Sequence, residues 1–117
     1  MLRGRAANVR SAELHVYTTG GSVADPEHRD AGSLLTISVL LSPQAEFGGG
    51  ELLLWRAANG EGAVGGFAPL GEELQPGDGV LFPSEKRHNV RALTHGTRRA
   101  FIIELWAGGA NEHNRHS

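Results

Sequence analysis

The sequence predicts an all-β fold, a sandwich or barrel of the jelly-roll kind with little helix. Short runs rich in aliphatic and β-branched residues recur along the chain, and turns rich in glycine, proline, asparagine and aspartate separate them. The 17 glycines favour many tight turns over long helices. No internal repeat, heptad pattern or long amphipathic helix is visible in the sequence. These features together are typical of antiparallel sheets that close on themselves or pack face to face.

The composition limits the chain to one domain and excludes several functions. A chain of 117 residues that is 39% apolar can form one hydrophobic core but not two. Because there is no cysteine, any metal must be held by imidazole and carboxylate groups. The net charge of -2 does not suggest a nucleic-acid surface, and no apolar stretch is long enough to span a membrane. No secretory signal is visible either, so the cytoplasm is the default expectation.

The first half of the chain contains the clearest strand patterns. Residues 1–12 show no period and are predicted to be a loose segment. A strand is predicted at residues 13–18, and its alternation puts Tyr17 on the face opposite Leu14 and Val16. The strongest strand pattern covers residues 34–41. Its alternation predicts two rows of side chains. The inward row is Leu34, Thr36, Ser38 and Leu40. The outward row is Leu35, Ile37, Val39 and Leu41.

The second half is predicted to contain shorter strands at residues 51–55, 70–74, 80–82 and 98–106. Residues 94–97 are predicted to form a hairpin turn. That turn would lay the strand at 98–106 antiparallel to the segment at 85–91. Residues 107–117 offer no core side chains and are predicted to be a flexible tail. The domain is therefore expected to cover residues 13–106.

A candidate metal site begins where the loop at residues 19–27 ends. His28 and Asp30 are two residues apart and project to the same side of an extended chain, so both can reach one ion. His88 lies far downstream, in a short polar stretch after a strand-like run. Two histidines and one carboxylate on one face of a metal, with other positions open, are the ligand set of non-haem Fe(II) oxygenases. Arg29 is expected to point away, towards solvent.

Further motifs accompany this triad in a fixed order along about ninety residues. They are Tyr17-x-x-Gly20, His28-x-Asp30, Phe47-Gly48-Gly49-Gly50-Glu51-Leu52, Pro76-Gly77-Asp78, Phe82, His88-x-Val90, Gly96-x-Arg98 and Trp106. In this order and spacing, the sequence resembles the double-stranded β-helix dioxygenases that use Fe(II) and 2-oxoglutarate. The resemblance is greatest to the prolyl 4-hydroxylase-like branch of that family.

The resemblance implies a double-stranded β-helix of cupin-like topology and a catalytic site made of His28, Asp30, His88 and Arg98. In the family, 2-oxoglutarate chelates the iron and a basic residue holds its far carboxylate. Arg98 is the candidate, because its planar guanidinium meets a carboxylate with two hydrogen bonds and stays charged. Tyr17 is expected to bond the same carboxylate, and Thr36, from the inward row, to line the cofactor pocket. Ascorbate is a further cofactor that the family allows.

The implied reaction is hydroxylation of a peptide or protein side chain with dioxygen and 2-oxoglutarate, releasing succinate and CO₂. Proline is the best single guess for the target, although prolyl 4-hydroxylases more often carry lysine where this chain has Arg98. A non-catalytic metal-binding β-helix module and a dioxygenase acting on a small molecule are the alternatives. A cupin-like metal enzyme fits less well, because its metal set usually has three histidines and a glutamate.

The outward row at residues 35–41 is expected to form an apolar surface together with three residues of the last strand, Phe101, Ile103 and Leu105. No helix in the sequence obviously covers this surface. We therefore expect the isolated chain to leave it partly uncovered. A partner, or a segment of a longer chain, is expected to cover it.

Overall fold

The computed structural model describes residues 6–58, 64–70 and 74–111 of the chain. Within these ranges the chain forms antiparallel strands and one short 3₁₀ turn at Gln44–Glu46, which confirms the prediction of an all-β fold. No helix in the described ranges is both long and apolar enough to cross a membrane. The strands are β1 Asn8–Tyr17, β2 Leu35–Leu40, β3 Phe47–Gly49, β4 Leu52–Arg56, β5 Gly66–Leu70, β6 Gly79–Pro83, β7 His88–Val90, β8 Leu93–Gly96 and β9 Arg98–Trp106.

The strands form a jelly roll with a larger and a smaller side. The larger side is a four-stranded sheet in the order β1-β9-β2-β6, and the smaller side consists of β5-β4-β7 and the pair β3-β8. Leu52, Phe82 and Val90, one from each of β4, β6 and β7, pack together as the buried apolar cluster. The two sides therefore enclose a core, and the polar residues described below line a cavity beside it.

The alternation predicted for β2 is confirmed. Thr36, Ser38 and Leu40 are buried, whereas the outward residues Leu35 and Ile37 are half-buried. Strand β9 lies beside β2, and Thr36 is paired with Glu104 in that register. Inward-facing residues of these two central strands therefore form one wall of the cavity.

The outer face of the four-stranded sheet is apolar. Leu14, Phe101 and Val39 lie in one row across β1, β9 and β2. In a neighbouring row, the edge strand β6 contributes Leu81, which is 59% exposed. The predicted apolar surface is thus present and partly uncovered in the described part of the chain. Successive residues of a strand point to opposite faces, so residues that do not face the polar cavity face this outer surface.

The N-terminal strand is longer than predicted. It begins at Asn8, within the segment predicted to be loose, because Asn8 pairs with Trp106 at the far end of β9. A β-bulge between Val9 and Ser11 interrupts its alternation, which explains why the sequence shows no period there. The start of the predicted tail folds back onto this strand, since the Asn111 amide donates to the Val9 carbonyl at 3.0 Å. The rest of that tail, residues 112–117, lies outside the described residues.

The prediction of a hairpin turn before β9 is wrong. The segment predicted as a hairpin turn is strand β8, which pairs with β3, and β9 pairs with β1 and β2 instead of with the His88 segment. Gly96, with φ of 79°, lets the chain leave one side of the barrel and enter the other. Strand β5 ends at Leu70, and most of the strand predicted at residues 70–74 lies outside the described residues, which leave out 71–73.

Candidate metal centre

The loop that carries His28 runs alongside β7, which carries His88. Val23 and Val90 exchange two backbone hydrogen bonds, of 3.0 and 2.9 Å, and so act as an isolated antiparallel bridge. Further along, the His88 amide donates to the His28 carbonyl at 3.0 Å. The two imidazoles are held 4.7 Å apart between ring centroids, edge to face. Arg29 is exposed, as predicted.

The Asp30 carboxylate is fixed from two directions. Its backbone amide donates to the Ser84 carbonyl at 2.9 Å, which ties the residue to the end of β6. The Thr36 hydroxyl donates to Asp30 Oδ2 at 2.7 Å, and Ser84 Oγ lies 2.8 Å from the same hydroxyl. All three residues are buried. Thr36, which we predicted as a residue of the cofactor pocket, therefore lines the cavity and also orients the carboxylate.

The three predicted ligands converge on one point. His28 Nε2 lies 3.6 Å from Asp30 Oδ1, and His88 Nε2 lies 3.5 Å from Asp30 Oδ2. One ligand atom from each of the three residues lies within 4.8 Å of the others. Ligand atoms that share a first-row metal at about 2.1 Å each are separated by roughly 3 to 3.5 Å. The donor atoms and their spacing therefore fit such an ion with small side-chain adjustments.

The His88 ring is set in the tautomer that metal binding needs. Its Nδ1 atom lies 2.8 Å from the Lys86 carbonyl oxygen, which can only accept a hydrogen bond. Nδ1 therefore carries the proton, and Nε2 has its lone pair available for a metal. The Phe82 ring packs edge to face against the imidazole at 4.8 Å between centroids, which restricts rotation of the ring.

Asp30 and His88 shift each other's proton affinity. Burial by itself raises the pKa of the Asp30 carboxyl, but hydrogen bonds from His88 and Thr36 and the charge of the two histidines lower it below its ordinary value. Burial lowers the pKa of the His88 imidazole, but the Asp30 carboxylate, the Lys86 carbonyl and the charge of Glu104 raise it above its ordinary value. A second proton on the His88 ring would sit on Nε2, which faces Asp30 Oδ2, so protonation and metal binding compete for the same atom.

Arg98 enters the same cavity as the three ligands. The cavity has a volume of about 110 Å³, and Tyr17, Thr36 and Ser38 also line it. The residue is only 5% exposed. Within residues 6–58, 64–70 and 74–111, its guanidinium has no hydrogen bond or ion pair, and its nearest ring contact is Tyr17, with Cζ 5.9 Å from the ring centroid. A buried cation in this condition is suited to an anionic ligand.

The residues around Arg98 also favour an anionic ligand. Burial lowers the pKa of the guanidinium, although Tyr17 and Glu51 oppose that shift, and arginine remains charged at any physiological pH. Burial also raises the pKa of the Tyr17 phenol, which keeps its proton and can donate a hydrogen bond. Gly50 has φ of 73°, and a Cβ atom there would lie 2.7 Å from Arg98 Cδ. The absence of a side chain at Gly50 therefore leaves room for the arginine stem.

Glu104 is a cavity residue that was not among the predicted site residues. Glu104 is 1% exposed and lines the same cavity. Its position could have been found, because Glu104 lies an even number of positions after Arg98 on the same strand, and the two residues therefore share a face. Ser33 donates to Glu104 and in turn accepts from Arg10, but neither residue carried such a signal, because the bulge in β1 hides the orientation of Arg10.

No protein-family model matches the sequence, and no curated protein matches it. Solved structures do match. An oxidoreductase of the 2OG-Fe(II) oxygenase family from Burkholderia pseudomallei aligns with a TM-score of 0.68 and 18% identity, covering 92% of this chain and 49% of that chain. The chain shares the fold of a 2OG-Fe(II) oxygenase. AviO1 from Streptomyces viridochromogenes Tue57 aligns with a TM-score of 0.60 and 14% identity, covering 92% of this chain and 54% of that one.

These matches confirm the predicted fold. The chain spans about half the length of both solved structures, so it corresponds to one part of them. At 18% and 14% identity, the likeness concerns the fold. A shared fold does not determine activity, which depends on the residues of the cavity itself.

Proposed function

We propose that this chain is an Fe(II)- and 2-oxoglutarate-dependent dioxygenase that hydroxylates a peptidyl or protein side chain, with proline as the first candidate. One observation carries the proposal. A triad of His28, Asp30 and His88 shares a cavity with a buried arginine that has no ion-pair partner among the described residues. A bare metal site needs no such cation, whereas a metal-chelating dicarboxylate does.

Each residue has a separate task in this proposal. His28, Asp30 and His88 hold Fe(II) and leave its other positions free. Arg98 and Tyr17 bind the carboxylate of 2-oxoglutarate that lies away from the metal. Bound Fe(II) supplies the activation of dioxygen, by which a C–H group, O₂ and 2-oxoglutarate give an alcohol, succinate and CO₂. The apolar wall of Leu52, Phe82 and Val90 limits water in the cavity.

Electrostatics support 2-oxoglutarate over a neutral ligand. Removing a guanidinium from water without an anionic partner costs several kcal/mol. In the ligand-free protein, the folding free energy must offset this whole cost. A carboxylate that accepts two hydrogen bonds from Arg98 offsets that cost, and the Tyr17 phenol can donate a third. Arg98 and the three proposed metal ligands line one cavity, and this shared lining supports a small diacid that would contact both the cation and the metal.

The substrate class rests on the order of motifs along the sequence, which is most similar to that of the prolyl 4-hydroxylase-like branch. Peptides containing proline are therefore the first substrates to test. That branch more often has lysine where this chain has Arg98. Arg98 can still bind the far carboxylate of 2-oxoglutarate, because either side chain supplies a cation.

Anaerobic titration of the protein with Fe(II) and 2-oxoglutarate tests the proposal directly. We expect the weak visible charge-transfer band of the metal chelate to appear in the wild type and to be absent from His88→Ala. After oxygen is admitted, succinate release should increase when a proline-containing peptide is present. Metal binding with no band at saturating 2-oxoglutarate would identify a non-catalytic metal-binding module. A band with succinate release that only small molecules stimulate would overturn the peptide substrate.

A further inference from the structure

A chain of hydrogen bonds connects the surface of β1 to the buried end of β9, and it passes through the turn that follows Asp30. Arg10 Nη1 donates to the Ala31 carbonyl at 2.7 Å and to Ser33 Oγ at 3.0 Å. Ser33 Oγ then donates to Glu104 Oε1 at 2.7 Å. The Ser33 hydroxyl therefore accepts from a cation and donates to an anion, and this arrangement strengthens both bonds.

The backbone is shaped to accommodate this chain of bonds. The β-bulge between Val9 and Ser11 is located at Arg10 and directs its side chain towards the turn. The guanidinium lies against Gly32, where a Cβ atom would be 2.8 Å from Nη1. Gly32 has φ of 89°, a conformation that glycine adopts without strain. Two unusual backbone features, far apart in sequence, thus serve the same contact.

The same turn determines where Asp30 points. The Ser33 amide donates to the Asp30 carbonyl at 3.2 Å and closes the turn at residues 30–33. Three residues later, Thr36 pairs with Glu104 in the β2–β9 register, and its hydroxyl bonds the Asp30 carboxylate. Ser33 and Thr36 therefore attach the two ends of the segment that follows Asp30 to the same residue of β9. The Ser33–Glu104 bond and the Thr36–Asp30 bond thus hold the segment that carries the Asp30 carboxylate against β9.

The network also controls a second carboxylate inside the cavity. Glu104 is buried and lines the same cavity as the three proposed ligands. A carboxylate that is free to turn near a divalent cation competes to become an additional oxygen ligand. The bond from Ser33, itself 2% exposed and supported by Arg10, holds Oε1 of Glu104 towards the turn.

We propose that Arg10, Ser33 and Glu104 are positioning residues for the metal centre. They fix the turn that presents Asp30, and they hold the Glu104 carboxylate in an orientation that leaves the metal with its three protein ligands. This inference rests on the proposed function only in requiring a divalent metal at His28, Asp30 and His88. It does not require 2-oxoglutarate or turnover.

Co(II) titration of the purified chain tests the inference, since the visible spectrum of Co(II) reports coordination number and geometry. We expect Ser33→Ala to weaken Co(II) binding by about 10- to 100-fold, the usual effect of removing a group that orients a ligand, and to change the spectrum of the bound ion. Ser33→Thr keeps the hydroxyl and should restore most of the affinity and the wild-type spectrum. Ser42→Ala is the matched control, because Ser42 is also buried and accepts a hydrogen bond from the Arg99 amide, away from the cavity.

Arg10→Met provides a second variant if Ser33→Ala does not fold, because it removes the cation at the edge of the network while keeping an apolar stem. It should weaken Co(II) binding in the same direction, with a smaller change in spectrum. Equal Co(II) affinity and identical spectra in Ser33→Ala, Arg10→Met and Ser42→Ala, at equal unfolding temperatures, would overturn the positioning role. Failure of the wild type to bind Co(II) would overturn the metal centre itself, and the two failures are therefore distinguishable.

Discussion

Tyr17 and Arg98 are register partners at the end of the β1–β9 pair, and the Arg98 Cζ atom lies 5.9 Å from the centroid of the Tyr17 ring. This pairing brings a phenol and a guanidinium to the same part of the cavity from adjacent strands. Because the backbone ladder fixes both residues, the position of the proposed anion site relative to the metal ligands depends on the sheet itself.

Arg98→Ala should weaken 2-oxoglutarate binding by roughly 2–5 kcal/mol, the usual cost of truncating one partner of a buried charge pair. Metal affinity should change little, because no ligand is lost. Arg98→Lys should recover part of the 2-oxoglutarate affinity, since a point charge cannot reproduce the planar pair of hydrogen bonds. Calorimetric titration of the metal-loaded protein measures both affinities. Arg99→Ala is the control on the exposed face, and equal, small effects at the two positions would remove Arg98 from the site.

Tyr17→Phe isolates the contribution of the phenol group. We expect it to weaken 2-oxoglutarate binding by about 1.5–3 kcal/mol, the range for a hydrogen bond to a charged group. The ring remains, so the packing of Tyr17 against the apolar cluster and the folding stability should be nearly unchanged. Measuring 2-oxoglutarate affinity beside the unfolding temperature separates the two effects. An unchanged affinity in this variant would show that the phenol does not contact the ligand.

Thr36→Val distinguishes two roles for a buried hydroxyl. If Thr36 acts mainly through its bond to Asp30, metal affinity should fall by about 10- to 100-fold, while 2-oxoglutarate affinity at saturating metal stays close to that of the wild type. If Thr36 instead contacts the cofactor, the pattern should be reversed. Valine is β-branched like threonine, so this variant removes the hydroxyl, with its contacts to Asp30 and Ser84, while keeping the branched shape of the side chain.

The apoprotein and the metal-bound protein should respond to pH in opposite directions. The pKa of His88 is raised by folding, so its protonated form stabilises the apoprotein. That contribution is complete below the unfolded-state pKa of about 6.5 and is lost as the pH rises through the higher folded-state pKa. Metal binding requires the neutral imidazole and therefore strengthens over the same interval. The pKa of Asp30 is lowered, so its contribution is lost only in acid, below about 4.

Thermal unfolding of the apoprotein and of the Co(II)-bound protein, between about pH 5 and 9, checks this expectation. The unfolding temperature of the apoprotein should fall above about pH 6.5, and the increment added by Co(II) should grow. Asp30→Asn removes the carboxylate that raises the pKa of His88, so its apoprotein should lose much of the slope. Parallel curves for wild-type and Asp30→Asn apoproteins would contradict the assignment to this pair.

The neighbouring residues Leu81 and Phe82 test which face of β6 stabilises the fold. Phe82 is 3% exposed and packs in the core, so Phe82→Ala should cost about 3–5 kcal/mol of unfolding free energy. Leu81 is 59% exposed on the outer apolar face, so Leu81→Ala should change stability by about 0.5 kcal/mol or less. Leu81→Glu should reduce binding of an apolar fluorescent dye to that face. Comparable destabilisation by the two alanine variants would show that the outer face is covered.

Features that depend on local alternation could be predicted from the sequence. The two-residue spacing of His28 and Asp30 and the parity of β2 placed three site residues, Thr36 included, on the inward side. Pairing between distant strands could not be predicted in the same way. The turn-like residues before β9 suggested a hairpin with the His88 segment, yet β9 pairs with β1, because closing the barrel depends on contacts between the two ends of the chain. The bulge at Arg10 hid both the start of β1 and the network around Ser33.

The bridge between the His28 loop and β7 has a consequence for how the molecule opens. His28 and His88 are about sixty residues apart in a chain that has no cysteine. An ion held by both would act as a removable cross-link, closing a loop long enough that bringing its ends together costs appreciable entropy. When a chelating agent removes the ion, the His28 loop should separate from β7 before the barrel unfolds. Amide hydrogen exchange at Val23 and Val90 would then become faster than exchange in the centre of β9.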